Sequence, residues 1–228
     1  MNKPSLVIPS AILLGGAIVA LAIYFSEHRS EPSTRGGGDP ALIAPVASGD
    51  HIYGNPAAPI KIIEYADFDC EFCAQFDDTM RQVMSQYGAG GEVAWVFRDF
   101  PIAQLHPDAY RAAEAADCVA ATAGNDAYWR FASALFAGQP VDPKRYLALA
   151  QAAGADPSAV GACEQSASSS VDAQIDADIA NAQAIGALGT PYAILEAPSQ
   201  PLVVIDGAWP YAALAAQIDQ ELTAIKGE

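Results

Sequence analysis

The sequence predicts an α/β layer fold that carries a long helical insertion and is preceded by one membrane-spanning helix. Three observations point to it. Apolar, β-branched runs at 60–66 and 92–97 flank a stretch with helical spacing. An Ala-rich block without strand character follows, over roughly 107–186. Strand character then returns at 192–195 and 202–205, before a closing helix.

Each element has a local reason. Ile60 to Ala66, IKIIEYA, is nearly all apolar and reads as a buried strand. From Cys70 to about Tyr87 the residues Phe72, Cys73, Phe76, Met80, Val83, Met84 and Tyr87 recur at helical intervals, and Gly88 stops the run. Glu92 to Phe97, EVAWVF, is the next strand. The order strand–helix–strand at this length is a parallel crossover.

In the Ala-rich block, His106-Pro107 is expected to open a helix with proline in its first turn. His106 is read as part of that helix entry rather than as a base. Tyr128, Phe131, Ala132, Leu135 and Phe136 keep a 3.6-residue period. Asp142-Pro143 and Asp156-Pro157 each look like a capping aspartate followed by proline. Val171, Ile175, Asp178, Ala182 and Ile185 share a helix face. Tyr192–Leu195 and Leu202–Ile205 are strands joined by a Pro-rich turn. Trp209 to Ile225 closes the chain, with Leu214, Ile218 and Leu222 in register. The block therefore reads as an insertion in a small α/β fold, not as a separate domain.

The 228 residues hold 11 Lys and Arg against 27 Asp and Glu, a net charge of −16. Three of the basic and two of the acidic residues precede residue 36, so the acidity belongs to the body. Such a surface repels phosphates, which argues against nucleic acid as a partner. A hydrophobic share of 52% excludes a disordered chain. Four cysteines are too few for a disulfide-stapled mini-protein.

Leu6 to Phe25, LVIPSAILLGGAIVALAIYF, carries no charge. As a helix it would span about 30 Å, the thickness of a hydrocarbon core. Residues 1–5 would precede the span and 26–50, rich in Gly, Pro and Ser, would form a flexible linker to a body at 51–228. The alternative is a cleaved signal peptide, but the run is long and ends AIYFSEHRS without a small-residue cleavage site.

The chemistry lies in Cys70-Glu71-Phe72-Cys73, a CxxC directly after a strand and at the start of a helix. A helix N-terminus stabilises a thiolate through its free N–H groups and partial positive charge. Cys70 is the expected nucleophile, exposed at the helix tip. Cys73, one turn in, resolves the mixed disulfide. A zinc half-site or a purely structural local disulfide are the other readings. Zinc would need a second ligand pair at short spacing. Cys118 and Cys163 stand alone, and His28, His51 and His106 are scattered.

Taken together, GNPAAPIKIIEYADFDCEFC, FRDFPIAQLHPDAYRAAEAADC, GTPYAIL and IDGAWPYAAL, in this order from about Gly54 to Leu222, resemble the DsbA-like thiol–disulfide oxidoreductases of the thioredoxin fold. The resemblance implies a thioredoxin-like fold with Cys70 and Cys73 as the redox pair. Thr190-Pro191 corresponds to the loop whose cis X–Pro bond faces the nucleophile and offers backbone to an extended substrate, with Glu71 and Phe72 beside it. Glu64 corresponds to the family's buried acid, a proton relay for Cys73; the plain alternative is a Glu at a solvent-facing edge. Cys118 and Cys163, both in the helical block, are expected to form a structural disulfide, the alternative being two buried thiols. That bond would place the body in an oxidising compartment, with the N-terminus in the cytoplasm.

The implied protein is a monomer anchored in the inner membrane, or secreted to the periplasm after cleavage. It would need no cofactor beyond its own disulfide. Its partners would be cysteine-containing exported proteins and a membrane redox protein. A reductase or isomerase with the same residues, or a non-catalytic binding or chaperone module, are the alternative functions. One departure from the strongly oxidising members stands out: the dipeptide between the cysteines is Glu-Phe, without Pro or His. Asp67, Asp69 and Glu71 flank Cys70, so its thiol pKa is expected to be higher, and the potential lower, than in those members.

Overall fold

The structure, a computed structural model, describes residues 37–166 and 170–227. The expected span at 6–25, the segment 1–5 before it and the first part of the linker lie outside these residues. Among the described residues no helix is long and apolar enough to cross a membrane.

A five-stranded sheet organises the body. In chain order the strands are β1 (His51–Gly54), β2 (Ile60–Ala66), β3 (Val93–Asp99), β4 (Tyr192–Glu196) and β5 (Val203–Asp206), and across the sheet they run β1-β3-β2-β4-β5. β2 and β3 are parallel, joined by helix α1 (Glu71–Val83), whose final turn widens to π geometry over Met84–Gly88. The other pairings are antiparallel. β2 is central, which explains its mostly apolar run: both of its faces are covered.

The insertion comprises α2 (Ala109–Ala123), α3 (Asn125–Ala137), α4 (Tyr146–Ala153), α5 (Pro157–Gln165) and α6 (Ser170–Ala184); α7 (Tyr211–Lys226) ends the fold. Asp142 and Asp156 do cap, each accepting from the backbone N–H two residues on. One face of the sheet, with Ile62, Trp95, Phe97 and Leu195, shares a single core with α1, α7 and the insertion. Phe97 packs on Phe68, Tyr128 and Trp129, so the insertion is fused to the sheet by aromatic contacts. The opposite face, with Ile63, Tyr65, Val96 and Ile194, is covered by Ala182 of α6, by Ile185 just after it, and by Ile43 and Val46.

β1 has no signal in the sequence, because a four-residue edge strand beginning with histidine has no apolar run. Two expectations are corrected. The helix expected from His106-Pro107 begins at Ala109; His106 stays in the loop before it, its ring turned to another partner. The linker expected over 26–50 is not free along its whole length. Asp39 N–H donates to the Ala184 carbonyl at 3.0 Å, and Ala44 N–H to Asn181 Oδ1 at 2.9 Å. Gly38 lies so close to α6 that a Cβ there would meet Gly186 N at 2.2 Å, so only glycine fits.

Candidate active site

The chain leaves β2 through Asp67-Phe68-Asp69 and turns into α1, with Cys70 as its N-cap in extended geometry (φ −79°, ψ 121°). Cys70 N–H donates to the Asp67 carbonyl at 3.1 Å, which fixes the turn. Cys73 sits in the first helical turn. The two sulfurs differ in access. Cys70 keeps 7% exposure and Cys73 none, so the nucleophile is less open than expected but is the only sulfur that can be reached. Beside it, Glu71 is exposed and Phe72 is 53% exposed.

Their acidities diverge. Hydrogen bonding from the Cys73 thiol, aided by Thr190 and by the Cys73 and Phe72 N–H groups, lowers the Cys70 pKa to about 5 against the opposing effect of burial. Burial pushes the Cys73 thiol well up, and the charges of Cys70 and Glu64 add to this. Two of the carboxylates that flank Cys70 are engaged by backbone N–H groups. The Asp67 side chain accepts from Asp69 N–H at 2.8 Å and Ile102 N–H at 2.7 Å. Asp69 accepts from Val141 N–H at 2.8 Å. Glu71 faces solvent. Engaged or hydrated, these charges are outweighed by the donors aimed at the sulfur, so Cys70 falls below the ordinary thiol value.

The loop before β4 completes the site. Thr190-Pro191 is a cis peptide, and the Cys70 thiol donates to the Thr190 carbonyl at 3.4 Å. The buried Thr190 hydroxyl has no hydrogen-bond partner in this resting geometry. It is therefore free to turn its proton to the sulfur once Cys70 ionises. Glu64 lies on central β2 between Phe97 and Ala193, with 0% exposure. The solvent-edge reading fails. Its Oε2 accepts from the Trp95 indole N–H at 2.8 Å, and its Oε1 has no partner. Burial, then the nearby Asp77, pushes its carboxyl well above the ordinary range. Glu64 and Cys73 are thus two fully buried groups, each with its pKa pushed well up.

Two contributors had no readable signal. Gln139 Nε2 donates to the carbonyls of Phe68 and Cys70, at 2.8 and 3.0 Å, and so ties the insertion to the redox turn. His106 Nδ1 meets Asp67 Oδ2 at 2.9 Å. Cys118 and Cys163 are disulfide-bonded between α2 and α5, their Cα atoms 5.7 Å apart. Among the described residues no group of three or more His, Cys, Asp or Glu side chains is arranged to hold a metal ion.

The fold is that of known DsbA proteins. Wolbachia pipientis alpha-DsbA1 superposes with a TM-score of 0.70 at 22% identity, over 83% of this chain and 100% of that one. Oxidised BdbD from Bacillus subtilis does so with a TM-score of 0.68 at 22% identity, over 79% of this chain and 97% of that one. Among curated proteins, a Na(+)/H(+) antiporter NhaA 3 from Salinispora tropica is 38% identical over 101 residues, 42% of this chain. The match spans only 15% of that relative's length. Residues 47–219, most of the chain and all of the redox site, match the family model described as Thioredoxin, and the chain belongs to that family.

Proposed function

We propose that the protein is a thiol–disulfide oxidoreductase that forms or exchanges disulfides in exported proteins through Cys70 and Cys73. The observation that carries this reading is the asymmetry of the pair: one reachable sulfur with depressed pKa, one sealed sulfur with raised pKa. A substrate thiolate attacks Cys70 Sγ of the oxidised pair. The Cys70–Cys73 bond breaks, a mixed disulfide forms, and Cys73 takes a proton. Glu64, protonated and with an unengaged oxygen, is the source of that proton. A second substrate thiolate then attacks the substrate sulfur and expels Cys70 as thiolate. The substrate gains a disulfide and two electrons pass to the pair. A low leaving-group pKa favours this direction.

Thr190 and Pro191 offer backbone to an extended substrate segment, and Glu71 and Phe72 border it. Leu188, 70% exposed two residues before Thr190, extends the apolar border. A structural disulfide inside the insertion supports an oxidising compartment, and with it an extracytoplasmic body held by the 6–25 segment or released after cleavage. Reoxidation would fall to a membrane redox protein.

Oxidative refolding of a reduced substrate, run beside insulin reduction with Cys70→Ala as control, tests the reading. Faster refolding that disappears in Cys70→Ala, together with a mixed disulfide trapped by Cys73→Ser, is expected. No activity in either assay, with the fold intact, would favour a binding module.

A further inference from the structure

The turn that holds Cys70 is rich in carboxylates, and the body is strongly acidic. Among the described residues no Lys or Arg pairs with a carboxylate of this turn; the Lys and Arg ion pairs lie at Asp77, Asp50 and Glu92. The cation-forming side chain that does reach it is His106. It arrives from the loop between β3 and α2, 39 residues beyond Asp67. We propose that His106 is a positioning residue of the redox pair, latched to the active-site turn through the Asp67 carboxylate and supplying the positive charge that faces Cys70. This inference rests on the oxidoreductase reading and adds to it the group that sets the driving force of the pair.

Asp67 is the pivot. Its backbone contacts both redox residues: its carbonyl accepts from Cys70 N–H, and its N–H points at Cys73 Sγ at 3.5 Å. Its carboxylate is fully buried and takes three polar contacts. Asp69 N–H donates to Oδ1, while Ile102 N–H and the His106 ring meet Oδ2. His106 is anchored in turn, its N–H donating to the Ile102 carbonyl at 2.9 Å. The loop therefore grips the turn at two points four residues apart. The groups facing the imidazole are Asp67, Asp69 and Cys70, and Asp99 faces Asp67 from β3. Burial, and then the carboxylates of Asp117, Asp178 and Asp67, hold the Asp99 carboxyl well above the ordinary range. Asp67, Cys70 and Asp69 together hold the imidazole above its ordinary pKa, although its partial burial pulls the other way.

The consequence is a linkage between proton and electrons. Reduction creates a thiolate at Cys70, and oxidation to the Cys70–Cys73 disulfide removes it. An imidazolium beside that sulfur favours the thiolate and hence the reduced form. It makes the oxidised pair a stronger acceptor of electrons.

The test uses the whole chain. The His106 ring is titrated by NMR in the reduced and oxidised protein, and a higher midpoint in the reduced form is expected. In parallel, the Cys70 thiolate midpoint and the equilibrium with glutathione are measured for His106→Gln and His106→Lys. His106→Gln should raise the thiolate midpoint by about one pH unit. It should shift the equilibrium about tenfold toward the disulfide, roughly 30 mV in potential. His106→Lys, which keeps the charge, should stay near the parent in both. Equal His106 midpoints in the two redox states overturn the proposal. So does an equal displacement by Gln and Lys, which would make the role purely geometric. The parent's own turnover in the refolding assay reports on the oxidoreductase reading separately, since it does not depend on His106 carrying charge.

Discussion

The Cys70 sulfur and the Thr190 carbonyl oxygen stand 3.4 Å apart, although 120 residues separate them along the chain. The sheet makes this contact. β2 and β4 pair antiparallel with Tyr65 opposite Tyr192, so the exit of β2 toward Cys70 abuts the entry of β4 after Pro191. The carbonyl accepts from the thiol, and the unpartnered Thr190 hydroxyl favours the thiolate. One residue thus serves both protonation states of the nucleophile.

That arrangement predicts a thiolate at neutral pH. The absorbance of reduced protein at 240 nm should titrate with a midpoint near pH 5, the value to which hydrogen bonding from Cys73 and Thr190 lowers Cys70. Cys73→Ala should raise the midpoint, because the Cys73 thiol is the largest stabilising donor. The sign for stability follows. A pKa depressed in the fold contributes stability to the reduced protein above pH 5, and this grows until the unfolded thiol itself ionises. It is lost as pH falls through 5. The melting temperature of the reduced form relative to the oxidised form should therefore climb between pH 5 and 8. A flat difference would contradict the low pKa.

Glu64 carries the opposite sign. Its carboxyl is held well above the ordinary range by burial, so the folded state binds its proton more tightly than the unfolded chain does. Its contribution to stability is lost as pH rises above the unfolded value of about 4.3. Glu64→Gln should remove that slope. It should also stabilise the protein at pH 8 relative to the parent, because Gln has no carboxyl that must either ionise in a buried site or hold its proton against the pH. Urea unfolding at pH 4.5 and pH 8 measures it. Opening of the Cys70–Cys73 disulfide by a substrate thiolate, the step in which Cys73 takes a proton, should slow about 10²-fold in the same variant, the lower range for a positioned proton donor. Added stability with an unchanged rate would leave Glu64 a structural residue only.

What could be read in advance was what is local. The strand at Ile60–Ala66 coincides with the observed β2 because a central strand is apolar on both faces. The CxxC, the proline after Thr190 and the two Asp-Pro caps are patterns of adjacent residues. What escaped depends on contacts made through the fold. Gln139 reaches the Cys70 carbonyl from 69 residues away, and nothing in its surroundings marks it. Asp67, Asp69 and Glu71 were visible as charges, yet sequence proximity does not say which way a carboxylate points. Two of them face backbone N–H groups of distant loops, at Ile102 and Val141. β1 and the segment after Gly38 are stabilised by tertiary contacts, not by their own patterns.

The disulfide between Cys118 and Cys163 closes a loop of 45 residues. By chain entropy its removal should lower stability by about 4 kcal/mol. The double variant Cys118→Ser/Cys163→Ser should show this in urea unfolding. Its Cys70 titration should not change, because neither residue contacts the redox turn. Peptide mapping of the oxidised protein should recover the 118–163 pair. A Cys70 midpoint displaced in the double variant would reveal a coupling between insertion and site stronger than the Gln139 bridge explains.

Asp50 gives the last prediction. Arg98 of β3 is buried and donates to both Asp50 oxygens, from Nε at 2.8 Å and from Nη2 at 3.2 Å, while Nη1 reaches the Tyr65 hydroxyl and Nη2 also the Pro45 carbonyl. Asn181 of α6 joins the same network through Tyr65. A buried guanidinium that loses its carboxylate is left with an uncompensated charge, which costs about 3–5 kcal/mol. Asp50→Ala should destabilise the body by that amount. A fragment beginning at residue 51, where the sequence alone placed the start of the body, should suffer at least as much, because it also loses Ile43 and Val46 from the sheet face. A fragment beginning at residue 37 keeps Asp50, Ile43 and Val46 and should be the more stable of the two. Replacing both partners by apolar residues, Asp50→Leu with Arg98→Met, should be milder than Asp50→Ala, because no charge is then stranded. Equal unfolding midpoints for the 37 and 51 fragments would mean that the buried pair and the segment bearing it contribute nothing net to the fold.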